Sequence, residues 1–432
     1  MEAMLSEFNY FAPPMVQASI LEEYDEAVAP ASDVKRDQPI NLVLKGAPGL
    51  YRDLNNSYIV VKCKVIKVAG GANLDADTAV APVNLLLHSL FESVDVSVNG
   101  TKVNDSDTLY AYRAYIESIL GYSQDVLETR AVSEGFSKDD AAKMDVVTLA
   151  VDGSANTGFV ARQKWVNLSK VMTLVGRPHS DLFHQELDIP AEVSLALKLT
   201  MNKDKFALMA AAGATFAIEV LDVRWFVRTK KVAPSLSTAH LRMLGSRCNY
   251  QLPFTKVSLK THTLGDGQSK FELSNLLTGN RLPTRVVVAM TTSAAIAGAY
   301  NLNPFRFQNF KLTSMVWKVN ERLIPFEPQE TDFPSGDYNR AYLSTLAALG
   351  FDTGNHALAI KPSDWADGYN IYAFKFAPGP TSSGVLSPPV TGRASLKLTF
   401  ADALTAPVDL IIFTEPPSTL EIDQFGKVTT SN

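Results

Sequence analysis

The sequence predicts an all-β protein made of two tandem antiparallel sandwiches, with a few short helices in the connecting loops. Three observations carry this. The strong apolar signals have period two or are short runs bounded by turn residues, the signature of strands in an antiparallel sandwich. A strand, a helix and further strands occur twice in the same order. The chain, at 432 residues, is longer than one hydrophobic core usually serves, so two units of roughly 200 residues each are expected.

Taken in order, the clearest predicted strands are SYIVVKCKVIKV (57–68), SVDVSVNGTKV (93–103), VSLALKLT (193–200), TFAIEVLDVRWFV (215–227), RVVVAM (285–290), SMVWKVNERLI (314–324), ASLKLTF (394–400) and VDLIIFTE (408–415). In the second, Val94, Val96 and Val98 share one face and Asp95 and Ser97 the other. Asn99-Gly100 then supplies the positive φ values of a type I′ hairpin turn. The stretches 132–158, 203–214 and 377–392 are small-residue-rich or Pro/Gly-rich and read as long loops.

Two helices stand out. In YAYRAYIESIL, Leu109, Tyr112, Ile116 and Ile119 recur at three- and four-residue steps; in DYNRAYLSTLA, Tyr338, Ala341, Thr345 and Leu346 do the same. Each can lay one apolar stripe on a sheet. Val98-Asn99 is matched by Val319-Asn320, Arg113-Ala114-Tyr115 by Arg340-Ala341-Tyr342, and Leu197-Lys198-Leu199-Thr200 by Leu396-Lys397-Leu398-Thr399. Three pairs in one order indicate an internal duplication. Tyr115 and Tyr342 are accordingly expected to be equivalent buried aromatics. The predicted organisation is an N-terminal arm (1–38), a first sandwich (39–229), a linker (230–246), a second sandwich (247–417) and a C-terminal tail (418–432).

With both halves laid out, the chain resembles the double jelly-roll major capsid proteins of Polinton (Maverick) elements and adintoviruses. The carrying segments are PVNLLLHSLFESVDVSVNGTKV with YAYRAYIESILGY, GRPHSDLF with IPAEVSLALKLT, NPFRFQNFKLTSMVWKVNERLIPFEP with DYNRAYLSTL, and GYNIYAFKF with VDLIIFTEPPSTLEIDQFGKV. They run from about Phe8 to Val428. The resemblance implies two eight-stranded jelly rolls side by side, homotrimers of pseudo-hexagonal outline, and an icosahedral shell tiled by them. It also implies penton and minor capsid proteins as partners and a place in the virion.

Composition is that of an ordinary globular protein. The net charge of -5 is mild, and the first basic residue, Lys35, follows Glu2, Glu7, Glu22, Glu23, Asp25, Glu26 and Asp33. A basic arm neutralising phosphates is thereby excluded, and sequence-specific nucleic-acid binding is not expected. Cys63 and Cys248 are too few for a disulfide scaffold and point to a reducing compartment of synthesis. MEAMLSEFNYFAPP lacks the basic and apolar regions of a secretory signal, and no apolar run reaches the roughly 18 residues of a membrane span. The sequons at Asn55, Asn99, Asn104 and Asn167 then read as chance matches.

No catalytic, cofactor-binding or metal-ligating set emerges. His179 and His184, in HSDLFH, have a spacing that suits neither adjacent helical turns nor half of a zinc finger, and read as a polar turn. His88 reads as a structural residue beside the hairpin, and His240, His262 and His356 lack partners at ligand spacing. GAPG and GDGQS read as turns, and DWADGYN lacks the ligand pattern of a calcium loop. No cofactor is expected and no enzyme is apparent.

Candidate assembly contacts are the tail positions Leu420, Ile422 and Phe425, with Arg113 and Arg340, placed alike on the two helices either to hold a carboxylate in a neighbouring lobe or subunit or to lie on the surface with their stems over apolar area. The tail alternates apolar and acidic residues after Pro416-Pro417, so it is expected either to clamp onto a lobe base or a neighbouring subunit or to fold as a strap onto its own domain. Two other readings fit tandem sandwiches: a lectin, using loop aromatics such as Trp365 and Tyr369, and a bicupin-type metalloenzyme, which needs inward histidines at matching offsets in each half.

Overall fold

Residues 16–104, 108–274, 276–277, 281–352, 358–377 and 390–431 are described by the computed structural model of the chain. The N-terminal segment MEAMLSEFNYFAPP, His356 and most of the 377–392 loop lie outside them.

Sixteen strands build two lobes of one topology. In the first lobe they are β1 (Ile20–Val28), β2 (Ile40–Leu44), β3 (Leu50–Lys67), β4 (Phe91–Val98), β5 (Thr101–Lys102), β6 (Met172–Gly176), β7 (Leu195–Met201) and β8 (Phe216–Val232). In the second they are β9 (Ser258–Leu264), β10 (Lys270–Ser274), β11 (Arg285–Thr292), β12 (Leu312–Val319), β13 (Arg322–Glu330), β14 (Ile371–Lys375), β15 (Ala394–Phe400) and β16 (Val408–Glu415). One sheet of the first lobe runs β1-β8-β3-β6 and the other β2-β7-β4-β5; the second lobe repeats them as β9-β16-β11-β14 and β10-β15-β12-β13. The labelled pairings are antiparallel. Two four-stranded sheets with this non-consecutive order form a jelly roll, so the chain is a double jelly roll.

The duplication read in the sequence is visible at the hairpins. Asn99 and Gly100 have φ of 48° and 79°, and Asn320 and Glu321 have 46° and 68°. Both positions of each turn are left-handed, as type I′ requires. SMVWKVNERLI, read as one strand, is therefore the β12–β13 hairpin.

The acidic stretch near the N-terminus also finds its reason. Residues 20–28, expected within an arm, form β1 on the edge of the first lobe, where Glu22 to Glu26 lie opposite Lys231 to Val227 of β8. Arg228 reaches Glu23 at 3.2 Å and Asp25 at 2.7 Å. Exposed pairs of this kind contribute little each, but a one-residue slip would separate acid from base, so together they favour one register.

Four helices of ten residues or more join the strands among the described residues: α1 (Tyr110–Gly121), α2 (Thr157–Val166), α3 (Pro234–Gly245) and α4 (Asn339–Leu349). Helix α2 was hidden in the sequence because its apolar residues do not form a stripe: Arg162 and Gln163 are buried with Phe159. Its start is marked by Asn156, whose side chain accepts from the Gly158 amide. The stretch 230–246 holds the end of β8 and then α3, opened by Pro234.

The two cores exchange elements. Ala111, Tyr112, Tyr115, Ile116 and Ile119 of α1 are buried in the cluster that contains the β11, β12 and β16 side chains of the second lobe. Tyr115 stacks on Phe305 with centroids 4.2 Å apart. In return, the strands Tyr250–Thr255, Pro417–Ile422 and Val428–Ser431 form a three-stranded sheet whose Leu252, Phe254, Leu420, Ile422 and Val428 are buried in the first lobe's cluster. The Asn99 side chain of the β4–β5 turn donates to the Gly426 carbonyl at 2.8 Å.

Helix α4, by contrast, stays on its own lobe, packing against β14, and Tyr342 is only half-buried, its hydroxyl donating to the Ile360 carbonyl. The two R-A-Y helices thus share sequence but not environment. Tyr115→Ala should cost about 3–5 kcal/mol, the range for truncating a buried aromatic, and Tyr342→Ala distinctly less. Equal losses on denaturant unfolding would contradict the exchange. Deleting residues 418–432 should lower the unfolding midpoint and raise binding of an apolar dye, because Leu420, Ile422 and Val428 cover the first lobe; an unchanged unfolding curve would show that the tail is not part of that core.

Candidate functional site

Helix α1 presents two faces. At 3.6 residues per turn, Arg113 and Glu117 share a stripe, whereas Tyr115, two positions from each, points the other way. Tyr115 enters the second lobe; Arg113 and Glu117 turn toward the loop after β6, where Arg177, His179, Asp181 and His184 lie.

Arg113 is the centre of this polar group. Its guanidinium donates from Nε to Glu117 Oε1 at 2.9 Å and from Nη2 to Asp181 Oδ1 at 2.6 Å. Asp181 Oδ1 also accepts the Val257 amide at 2.9 Å, so the cation–carboxylate pair is fastened to the chain entering the second lobe. Burial pushes the Asp181 carboxyl up, against the pull of Arg113. Glu117 goes the other way: burial opposes ionisation, but the Arg113 charge and the His179 hydrogen bond hold it well below the usual carboxylate range.

Histidines surround this pair. His179 Nδ1 lies 2.7 Å from Glu117 Oε2, and its Nε2 faces the Ser118 hydroxyl at 3.4 Å. His184 Nε2 is 3.7 Å from the same Glu117 oxygen. Burial, partly offset by Glu117, pushes the His184 imidazole down, although an edge of the ring is open to solvent. Deeper in, His88 contacts Tyr110 Oη at 2.9 Å and Glu134 Oε2 at 3.4 Å, and burial lowers its pKa. Glu117, His179 and His184, and likewise His88, Glu134 and His179, bring their ligand-capable atoms within 4.8 Å of one another. The sequence shows no such set, because Glu117 lies on a different element from the two histidines it joins, and His88, Glu134 and His179 lie on three.

The group borders a cleft of about 590 Å³ between the lobes. The first lobe lines it with Arg113, Glu117, Arg177 and His184, the second with Arg285, Lys375 and Glu415. Arg285 and Glu415 form a bidentate pair at 2.7 Å across β11 and β16.

The assembly candidates read from the sequence separate here. Arg113 is buried and committed within its own lobe. Arg340 is exposed and pairs with Glu327 on the surface at 2.7 Å. Leu420 and Ile422 are buried inside the chain, and Phe425, at 84% exposure, is the tail position left on the surface. Trp365 and Tyr369 are buried, not displayed in loops. Around DWADGYN, Asp364 is taken by Lys138 at 2.7 Å and Asp367 approaches Arg306 at 3.6 Å, so these acids serve ion pairs.

No protein-family model matches the sequence. An uncharacterized protein of Caenorhabditis elegans is 22% identical over 351 residues, covering 79% of this chain and 80% of that one. Among solved structures, a chain of the Sputnik virophage superposes with a TM-score of 0.63 at 12% identity, covering 100% of this chain and 92% of its own. The Faustovirus major capsid protein gives 0.55 at 8% identity, covering 96% and 92%. The mavirus major capsid protein gives 0.51 at 11%, covering 100% and 95%. At these identities the likeness establishes the shared fold over the full chain.

Arg113→Ala should destabilise by about 3–5 kcal/mol, because it strands the buried Asp181 carboxylate and the partly buried Glu117, while Arg340→Ala should change stability by less than about 1 kcal/mol. Thermal or denaturant unfolding of both variants checks this; comparable effects would contradict the burial difference.

Proposed function

We propose that this protein is a major capsid protein that associates as a homotrimer of pseudo-hexagonal outline and tiles an icosahedral shell, within the Polinton (Maverick) and adintovirus group that its sequence resembles. The observation that carries the reading is the repetition of one strand order in two lobes, matched from end to end by viral capsid chains. Three copies of a two-lobed subunit present six similar lobes around a threefold axis, a shape suited to closed symmetric packing. Penton and minor capsid proteins are the expected further partners, and the virion the expected location.

Two features favour this over a ligand-binding or catalytic role. The aromatics a lectin would display, Trp365 and Tyr369, are interior. A bicupin needs a ligand set in each barrel; among the described residues both histidine–carboxylate sets belong to the first lobe. No helix among the described residues is long and apolar enough to cross a membrane.

Light scattering of the purified protein should give the mass of a trimer, and negative-stain electron microscopy should show hexagonal particles, alone or in shells. A monodisperse monomer over the micromolar range, with no assembly on crowding, would overturn the proposal.

A further inference from the structure

We propose that Glu117, His179 and His184 form a zinc-binding site at the mouth of the inter-lobe cleft. The site does not depend on the capsid reading.

The donor chemistry fits. Two imidazoles and one carboxylate are a ligand set that zinc takes in four-coordinate sites whose fourth position is left to water or another donor. Glu117 Oε2 stands 2.7 Å from His179 Nδ1 and 3.7 Å from His184 Nε2. Nitrogen and oxygen ligands at about 2.0–2.2 Å around a tetrahedral ion are separated by roughly 3.3 Å, so small side-chain rotations bring the three atoms to an ion between them. At 3.7 Å, His184 Nε2 makes no hydrogen bond to the oxygen it faces and is left free to take an ion.

The surroundings fit as well. Ligating histidines usually direct their second nitrogen to a polar partner, and ligating carboxylates are themselves hydrogen-bonded. His179 Nε2 faces Ser118 Oγ, and Glu117 Oε1 is held by Arg113 Nε. Helix α1 fixes Glu117 and Ser118 together, and the loop carrying both histidines is tied to α1 through Arg113 and Asp181. The partly exposed His184 ring gives an ion access from the cleft. The second set, His88, Glu134 and His179, lacks that access, since all three are buried and His88 is already engaged by Tyr110 and Glu134. The neighbouring Arg113 charge is balanced by Glu117 and Asp181, so it does not exclude a dication.

Untagged protein stripped with a chelator should be titrated with zinc chloride by calorimetry. One zinc per chain is expected, with a rise in unfolding temperature on binding. X-ray absorption of the zinc-loaded protein should show nitrogen and oxygen neighbours at about 2.0–2.1 Å and no sulfur. His184→Ala, which removes a partly exposed ring, and Glu117→Gln should each weaken binding at least tenfold, whereas His262→Ala on β9 should leave it unchanged. Circular dichroism establishes that each variant is folded, and His184→Ala serves if Glu117→Gln is not. Absence of stoichiometric binding, sulfur in the coordination shell, or undiminished affinity in folded His184→Ala would overturn the proposal.

Discussion

The architecture depends on one buried carboxylate. Asp139 forms a fully buried pair with Arg162 of α2 at 2.7 Å. Its Oδ1 also accepts from the Asn156 side chain at 2.8 Å and its Oδ2 from Asn303 at 3.2 Å, while its backbone carbonyl accepts the Tyr369 hydroxyl at 2.9 Å. Arg162 spends its remaining donors on the carbonyls of Pro82 and Ser137. A buried ion pair is tolerable only when the remaining donors and acceptors are engaged, because desolvation otherwise exceeds the attraction. Here the partners come from both lobes: Asn303 and Tyr369 belong to the second, Asp139 and Arg162 to the first. The stretch 137–145, a loop by composition, is thus the polar seam on which the lobes meet, with Asp145 adding a 2.6 Å contact to Arg306.

That seam explains why the cores can exchange elements. Helix α1 buries its aromatic face among second-lobe residues, and the sheet made from Tyr250–Thr255 and the tail buries its apolar face in the first lobe. Apolar contact supplies most of the stabilisation but little direction, since such burial is proportional to area and not to angle. The hydrogen bonds around Asp139 have narrow geometry and fix which surfaces meet. Truncating an element on one lobe therefore damages the core of the other.

This coupling marks where sequence reading succeeds and where it stops. Period-two patterns and the repeated Val-Asn and R-A-Y landmarks report local preference, and they located most of the jelly-roll strands, the first I′ hairpin and the duplication. They are silent on partners far away in the chain. Arg113 and Arg340 look alike in sequence, yet one is buried between two carboxylates and the other lies on the surface, because α1 turns Arg113 onto the loop that carries Asp181 whereas Arg340 meets an exposed Glu327. Arg162, Asp139 and Glu117 had no signal of their own: a charged residue in a polar stretch reads as solvated until the fold encloses it. The tail's alternation did mark an apolar face, but alternation cannot say which lobe that face covers.

Helix α1 joins the dry part of the seam to the wet one. Its Tyr112, Tyr115 and Ile116 face locks into the second lobe, and its Arg113 and Glu117 face borders a cleft whose far wall is Arg285, Lys375 and Glu415. A rigid helix cannot shift one face without the other, so whatever fixes Glu117 also fixes Tyr115 against Phe305. A contact at the cleft, whether an ion held by the histidines or the side chain of a neighbouring protein, would act on the angle between the lobes through this helix. The polar cleft and the aromatic contact with Phe305 are thus joined by one helix.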